Sequence, residues 1–292
     1  MKRSSIAVCA VAVGVLLLIG QPAAAQITFT PLFQDGFETY NRGSLDKNDV
    51  FGTNQDNNGV GNPWFGPGPP NQQVVGTQHM IMPHSGTQMA GGEDLGTVSF
   101  DQSWYNLAYR LNNGQPYTGL ILFDFWFYDT GGPGNANYQD YAALGYYNTA
   151  PANTDGPIYG DSHDYSLNFN VDGNTIQRLS LGASSVQDGL FDPNYYQARV
   201  VGASGGYNAN GDWFNLPLAR TVGWHHGGIA VGPLQPNGTS TAHFYIDDPT
   251  TPLLVLPVPA ARNQYNVLEL NNNFGTVTGY YDDLTFSLIN LP

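Results

Sequence analysis

The sequence predicts an all-β fold: two antiparallel sheets packed face to face as a sandwich. Three observations carry that reading. Long helix-forming charged side chains are nearly absent, with glutamate only at Glu38, Glu93 and Glu269 and, beyond Lys2, lysine only at Lys47. Glycine (36) and proline (20) are plentiful, as turns and strand ends require. Past the N-terminal segment, apolar residues recur with period 2 and not 3.6. A hydrophobic content of 41% across 292 residues excludes a disordered chain, and one β domain of about 250 residues is ordinary.

The first residues read as an export signal. Met1-Lys2-Arg3 is a short basic region, residues 6–19 are mostly apolar, and Ala23 and Ala25 supply the small residues of an A-x-A cleavage site. The run is shorter than the roughly 20 apolar residues a membrane span needs. The expected organisation is therefore residues 1–25 as signal peptide and 26–292 as a single domain, secreted, with no membrane span once the signal is removed. Cys9, the sole cysteine, leaves with the signal, so the mature chain has no thiol for a disulfide, a zinc cage or covalent catalysis. Loss of Lys2 and Arg3 leaves 7 basic residues against 23 acidic ones, a charge of −16. Such a polyanion repels nucleic acid and anionic lipid, whereas neutral polymers and divalent cations remain compatible partners.

Strands are expected at 30–38, 98–111, 119–129, 138–147, 163–171, 175–181, 195–201, 223–231, 241–247, 265–270 and 279–288, with a polar Gly/Asn/Pro-rich loop over 41–72. In 119–129, the strongest, Ile121, Phe123, Phe125 and Phe127 line one face. Leu120, Leu122, Asp124, Trp126 and Tyr128 line the other, so the strand reads as central and covered on both sides. In 163–171, Tyr165, Leu167, Phe169 and Val171 point inward. Phe244 and Ile246 belong to the expected core as well, and Trp224 is expected to be largely buried near the hairpin of Tyr245.

Several short runs, taken in order, resemble the concanavalin-like and laminin-G-like jelly-roll domains of secreted carbohydrate-binding modules. Phe33-Gln34-Asp35-Gly36-Phe37-Glu38 is similar to their first strand, and His84-Ser85-Gly86-Thr87-Gln88-Met89 to a following one. Gly223-Trp224-His225-His226 with His243-Phe244-Tyr245-Ile246-Asp247-Asp248 resembles a W-H … Y-x-D-G pairing, with Asp248 where the family has Gly. Tyr280-Tyr281-Asp282-Asp283-Leu284-Thr285-Phe286 resembles the last strand. The resemblance implies a two-sheet antiparallel jelly-roll sandwich whose first and last strands are neighbours. It also implies a structural calcium ion (Ca2+) at their end, with Asp35, Glu38 and Asp283 as the matching ligands, because calcium takes six to eight oxygens. The plainer reading leaves Asp282 and Asp283 as a charged, solvent-facing edge. Since adjacent strand residues face opposite ways, one of that pair at most serves a given site. By the same alternation His225 and His226 point to opposite sheets, which speaks against a paired metal site.

Sugar binding needs rings that stack on pyranose faces and polar side chains that bond the hydroxyls. Asp124, Trp126 and Tyr128 share one face, and Tyr138 and Asp140 share another with Tyr146. Asp164, Asn168 and Asn170 share a third. Aligned across neighbouring strands these sets would form a polar, aromatic groove. Trp126 and Tyr128 could equally be core, and Trp64, Phe65, Trp104 and Trp213 are rival platforms. Catalysis is the weaker expectation. Three scattered glutamates do not make the E-x-D-x-x-E of retaining glycosidases on this fold. The arginines, Arg178 and Arg199 among them, are dispersed, and Gln78-His79 lacks the residue of a Gln-x-His lyase motif. The expected function is thus non-catalytic binding of a glycan or cell-surface component. A structural or adhesive extracellular protein without a small ligand is the alternative, and a polysaccharide-degrading enzyme comes third.

Overall fold

The computed structural model describes residues 26–45, 64–65, 73–91, 101–132, 139–147, 176–184, 192–200, 212–260, 263–273 and 279–292. The signal segment, Tyr138 and the expected strand at 163–171 with Leu167 and Phe169 lie outside them. The described residues form two antiparallel sheets packed as a jelly-roll sandwich. None of their helices is long and apolar enough to cross a membrane.

The first sheet has nine strands. They are β1 (Thr28–Asp35), β2 (Gly43–Ser44), β4 (Gln73–Val75), β5 (Met89–Gly91), β7 (Ile121–Asp129), β12 (Gly223–Val231), β13 (Ser240–Ile246), β14 (Leu254–Val258) and β16 (Tyr280–Asn290). Their order is β14-β13-β12-β7-β16-β5-β4-β2, with β1 also on β16. The second sheet has seven: β3 (Trp64–Phe65), β6 (Asp101–Asn106), β8 (Gln139–Tyr147), β9 (Ile176–Ser184), β10 (Tyr195–Val200), β11 (Asp212–Ala219) and β15 (Val267–Asn273). These run β11-β10-β9-β8-β15-β6-β3.

The core lies between the sheets, where alternation sends every second residue. Strand β7 contributes Ile121, Phe123, Phe125 and Phe127, and β13 adds Phe244 and Ile246. The facing sheet supplies Ala142, Leu144, Leu179, Leu181, Ala198, Leu268 and Leu270. At Gly227, opposite Phe125 in the register, a Cβ would fall 2.6 Å from the Phe125 ring, so the bare backbone makes room for a core aromatic.

As expected, β1 and β16 are neighbours, with Asp35 opposite Leu284. Several elements differ from expectation. Residues 107–111 leave the strand as a short helix, α1 (Leu107–Leu111), because the Asn106 side chain caps it by accepting the Tyr109 N–H at 3.1 Å. The short strands β2 and β3 fall inside the expected loop 41–72, β4 and β5 are further unexpected strands, and so are β11 and β14, the outer edges of their sheets, which carry Pro217 and Pro257. Proline is tolerated at an edge and masks the strand pattern. The left-handed residue of the W-H hairpin is Asp247 (φ 60) and not Asp248, whose carboxylate accepts the Thr250 N–H and O–H. Trp224 is only half buried: it lies on the outer face, opposite Tyr128, and donates its indole N–H to the Met82 carbonyl at 3.0 Å.

Candidate functional site

The outer face of the seven-stranded sheet is where polar side chains converge under burial. Three strands carry polar residues two apart, around an apolar residue that enters the core: Arg178 and Ser180 on β9, Gln197 and Arg199 on β10, Glu269 and Asn271 on β15. Between β9 and β15 runs β8, which presents Tyr141, Ala143 and Gly145 to the same side. Because Ala143 and Gly145 are small, the Arg178 side chain lies across β8, and its Nε comes within 2.9 Å of Glu269 Oε2. Arg178 also donates through Nη1 to the Tyr141 hydroxyl at 2.9 Å. The Asn271 amide donates to that hydroxyl at 2.8 Å and to Glu269 Oε1 at 2.9 Å. A carboxylate only accepts, so the Asn271 NH2 must face Glu269 and its carbonyl oxygen must face away. Gly182 allows β8 close, since a Cβ there would sit 2.2 Å from the Asp140 carbonyl.

Trp213, on edge strand β11, stands edge-on to Tyr141 with centroids 5.4 Å apart, and the Arg199 guanidinium lies over its ring at 5.3 Å. The Gln197 amide donates to Asn215 Oδ1 at 3.0 Å. Burial pushes the Tyr141 hydroxyl up to about 12, against the pull of the Arg178 charge, so it is a neutral O–H over the physiological range. The Oε1 of Gln197, the Oγ of Ser180 and the Oδ1 of Asn271 have no hydrogen-bond partner among the described residues, although all three residues are fully buried. Orphaned buried acceptors are costly and call for an explanation.

The sequence-predicted sugar residues are not brought into one groove. Asp124, Trp126 and Tyr128 lie half-buried on the outer face of the nine-stranded sheet, whereas Asp140 is buried in the other sheet, beside Asn272 and Gly279. The two sets sit in different layers because β7 and β8, consecutive in sequence, belong to opposite sheets. Of the rival platforms, Trp213 joins the polar face, while Trp64 belongs to the core. The dispersed Arg178 and Arg199 prove to be sheet neighbours. His225 and His226 point apart as expected. His225 bonds Asp247 at 2.8 Å and the Thr221 carbonyl at 2.9 Å, and His226 lies 3.4 Å from Asp124.

The expected calcium ligands Asp35, Glu38 and Asp283 are each engaged by protein donors. Asp35 turns inward and accepts from the Phe37 N–H, the Tyr40 hydroxyl and the Trp64 indole, and burial raises its pKa, which disfavours the charged form a cation needs. Burial also pushes Glu38 up, but the Thr87 N–H and O–H and the Gln88 N–H outweigh it and hold the carboxyl below its usual value. Asp283 is engaged by His84 Nδ1 at 2.7 Å and by the Ser85 hydroxyl at 2.7 Å. Among the described residues no group of three His, Cys, Asp or Glu is arranged to hold a metal ion. The one-of-the-pair rule for Asp282 and Asp283 fails as well. A register shift after Asp282 and a left-handed Asp283 (φ 47) break the alternation, so Asp282 takes the Ser85 N–H while Asp283 takes its hydroxyl.

Burial pushes Asp282 up to about 7, the neighbouring Asp283 charge adding to it. Its folded pKa is thus raised, so its contribution to stability is full below about pH 4 and is lost as pH rises through about 7. Asp282→Asn removes that loss. Between pH 4 and 8 the variant should gain about 1–2 kcal/mol on the wild type, the full linkage value reduced for solvent screening at the sheet rim. Denaturant midpoints at the two pH values check it, and a stability difference independent of pH would contradict the assignment.

No protein-family model and no curated relative matches the chain. Several solved structures resemble it. Lectin II from Ulex europaeus is 10% identical, with 75% of this chain and 90% of that chain covered and a TM-score of 0.40. The exoplasmic/lumenal domain of VIP36, in a Ca2+/Man3GlcNAc-bound form, is 13% identical over 81% and 86%, at 0.41. A chain described with endo-acting O-glycanases of the human gut microbiota is 10% identical over 89% and 100%, at 0.42. The likeness is one of fold.

Proposed function

We propose that the chain is a non-catalytic saccharide-binding module whose binding surface is the outer face of the seven-stranded sheet. The observation that carries this is the set of buried acceptors without partners, Gln197 Oε1, Ser180 Oγ and Asn271 Oδ1, on one face with Tyr141 and Trp213. Acceptors want O–H donors, and a ligand rich in hydroxyls brings several at once. Trp213 and Tyr141 stand beside these acceptors, and aromatic neighbours are what a pyranose packs on. Binding is favoured over hydrolysis because glycosidic cleavage uses two carboxyls across the bond, and Glu269 is committed to Arg178 and Asn271. The pattern of residues 1–25 supports export, which would place this surface among extracellular glycans.

A glycan array probed with the mature chain is the first test. Ser180→Ala and Gln197→Ala should each lower affinity for a hit about 2- to 10-fold, the value of one net hydrogen bond. The double variant should lose about 10- to 100-fold with its melting temperature little changed. A hit whose affinity survives both changes would move the site elsewhere. An array without hits would favour the structural or adhesive reading.

A further inference from the structure

The outer face of the nine-stranded sheet, away from the core, carries a cluster of half-buried rings. Trp126 and Tyr128 of β7 and Trp224 and His226 of β12 stand there together, with Trp126 and His226 centroids 5.4 Å apart and Tyr128 and Trp224 5.5 Å apart. Across them runs the segment 82–87. Its His84 ring lies flat on Trp126, with centroids 3.6 Å apart and planes 14° from parallel, and is edge-on to Trp224 at 5.7 Å. That is the stacking geometry a planar or pyranose ligand ring adopts on an indole.

What holds the segment down is polar. Ser85 N–H and O–H donate to Asp282 and Asp283, Thr87 donates twice to Glu38, and the Met82 carbonyl accepts from Trp224. Met82, Ser85, Gly86 and Thr87 are themselves exposed, so little apolar surface ties the segment to the sheet. Bonds of this kind exchange with water at small net cost. Beside the stack, the Asp124 carboxylate and the Tyr245 side chain close round Gly228: a Cβ there would lie 3.2 Å from the first and 3.5 Å from the second. The Asp124 carboxylate, two residues from Trp126 on the same strand face, is thus an acceptor next to the indole.

We propose that Trp126 is a second ring-stacking seat, suited to a pyranose ring, that His84 occupies this seat as an internal stand-in, and that residues 82–87 are a displaceable cover, hinged at the buried Gln88. A bound sugar ring replaces the imidazole on Trp126 and donates hydroxyls to Asp124. This seat is independent of the opposite face, so the test is made in a Ser180→Ala/Gln197→Ala background.

Cello-, xylo- and maltohexaose are titrated while tryptophan fluorescence and indole NMR signals are followed. His84→Ala should raise affinity for at least one hexaose about tenfold or more and make a tryptophan more accessible to acrylamide. Adding Asp124→Asn should reverse the gain. Ser85→Ala with Asp283→Asn, which loosens the cover and cuts the 2.7 Å tie from His84 Nδ1 to Asp283 but keeps the imidazole, should give a smaller rise and serves if His84→Ala does not fold. Unchanged affinity for all three hexaoses on uncovering, or a gain indifferent to Asp124→Asn, overturns the proposal.

Discussion

Arg220→Met should cost about 3–5 kcal/mol, because it leaves a fully buried carboxylate without its counter-charge. Arg220 grips Asp129 at the end of β7 in bidentate fashion, Nε to Oδ2 at 2.9 Å and Nη2 to Oδ1 at 2.8 Å, with neither side chain exposed. Asp129 also accepts the N–H groups of Gly131 and Gly132, and Arg220 reaches the Pro193 carbonyl. The pair thus fixes three chain segments at one end of the sandwich: the exit of β7, the approach to β10 and the turn before β12. Arg220→Lys keeps a charge but cannot make two parallel bonds, so it should recover only part of the loss. Denaturant unfolding of the three proteins checks this. A loss below about 1 kcal/mol for Arg220→Met would mean that water replaces the guanidinium readily.

Legibility followed from how local each feature is. Strand β7 was readable because burial alternates along it with period 2, and Phe123, Phe125 and Phe127 follow that alternation without a break. Strands β11 and β14 were hidden by Pro217 and Pro257, which a central strand would exclude and an edge accepts. Residues 107–111 read as strand because no helical period shows in five residues, and a single Asn106 cap decides them. The candidate site was the least readable. Arg178, Gln197, Arg199 and Glu269 meet through pairings of β15, β8, β9 and β10, and register between non-consecutive strands is a tertiary property. One signal was present: Arg178/Ser180, Gln197/Arg199 and Glu269/Asn271 each flank a single core residue. Three such polar pairs, unlike an ordinary solvent face, include guanidinium, carboxylate and amide groups together.

The ion pair on that face gives the second large effect and separates fold from function. Arg178→Leu alone should destabilise by about 3–5 kcal/mol, since it strands the Glu269 carboxylate at 0% exposure, and Glu269→Leu alone should cost a similar amount by stranding the guanidinium. The double variant should recover most of this, to within about 1–2 kcal/mol of wild type, because a buried pair replaced by apolar groups of similar volume is often neutral. What remains in the double variant is the bond from the Asn271 amide to the Tyr141 hydroxyl, so the centre of the face keeps its order. The coupling read from the cycle should therefore be several kcal/mol and of opposite sign to the single losses. If the two single losses simply add, the side chains act separately and the pairing across β8 has no energetic meaning. The same double variant tests the site. With the fold nearly restored but the charged network gone, its affinity for a saccharide bound by wild type should fall tenfold or more. Unchanged affinity in a stable double variant would remove this face from the binding surface.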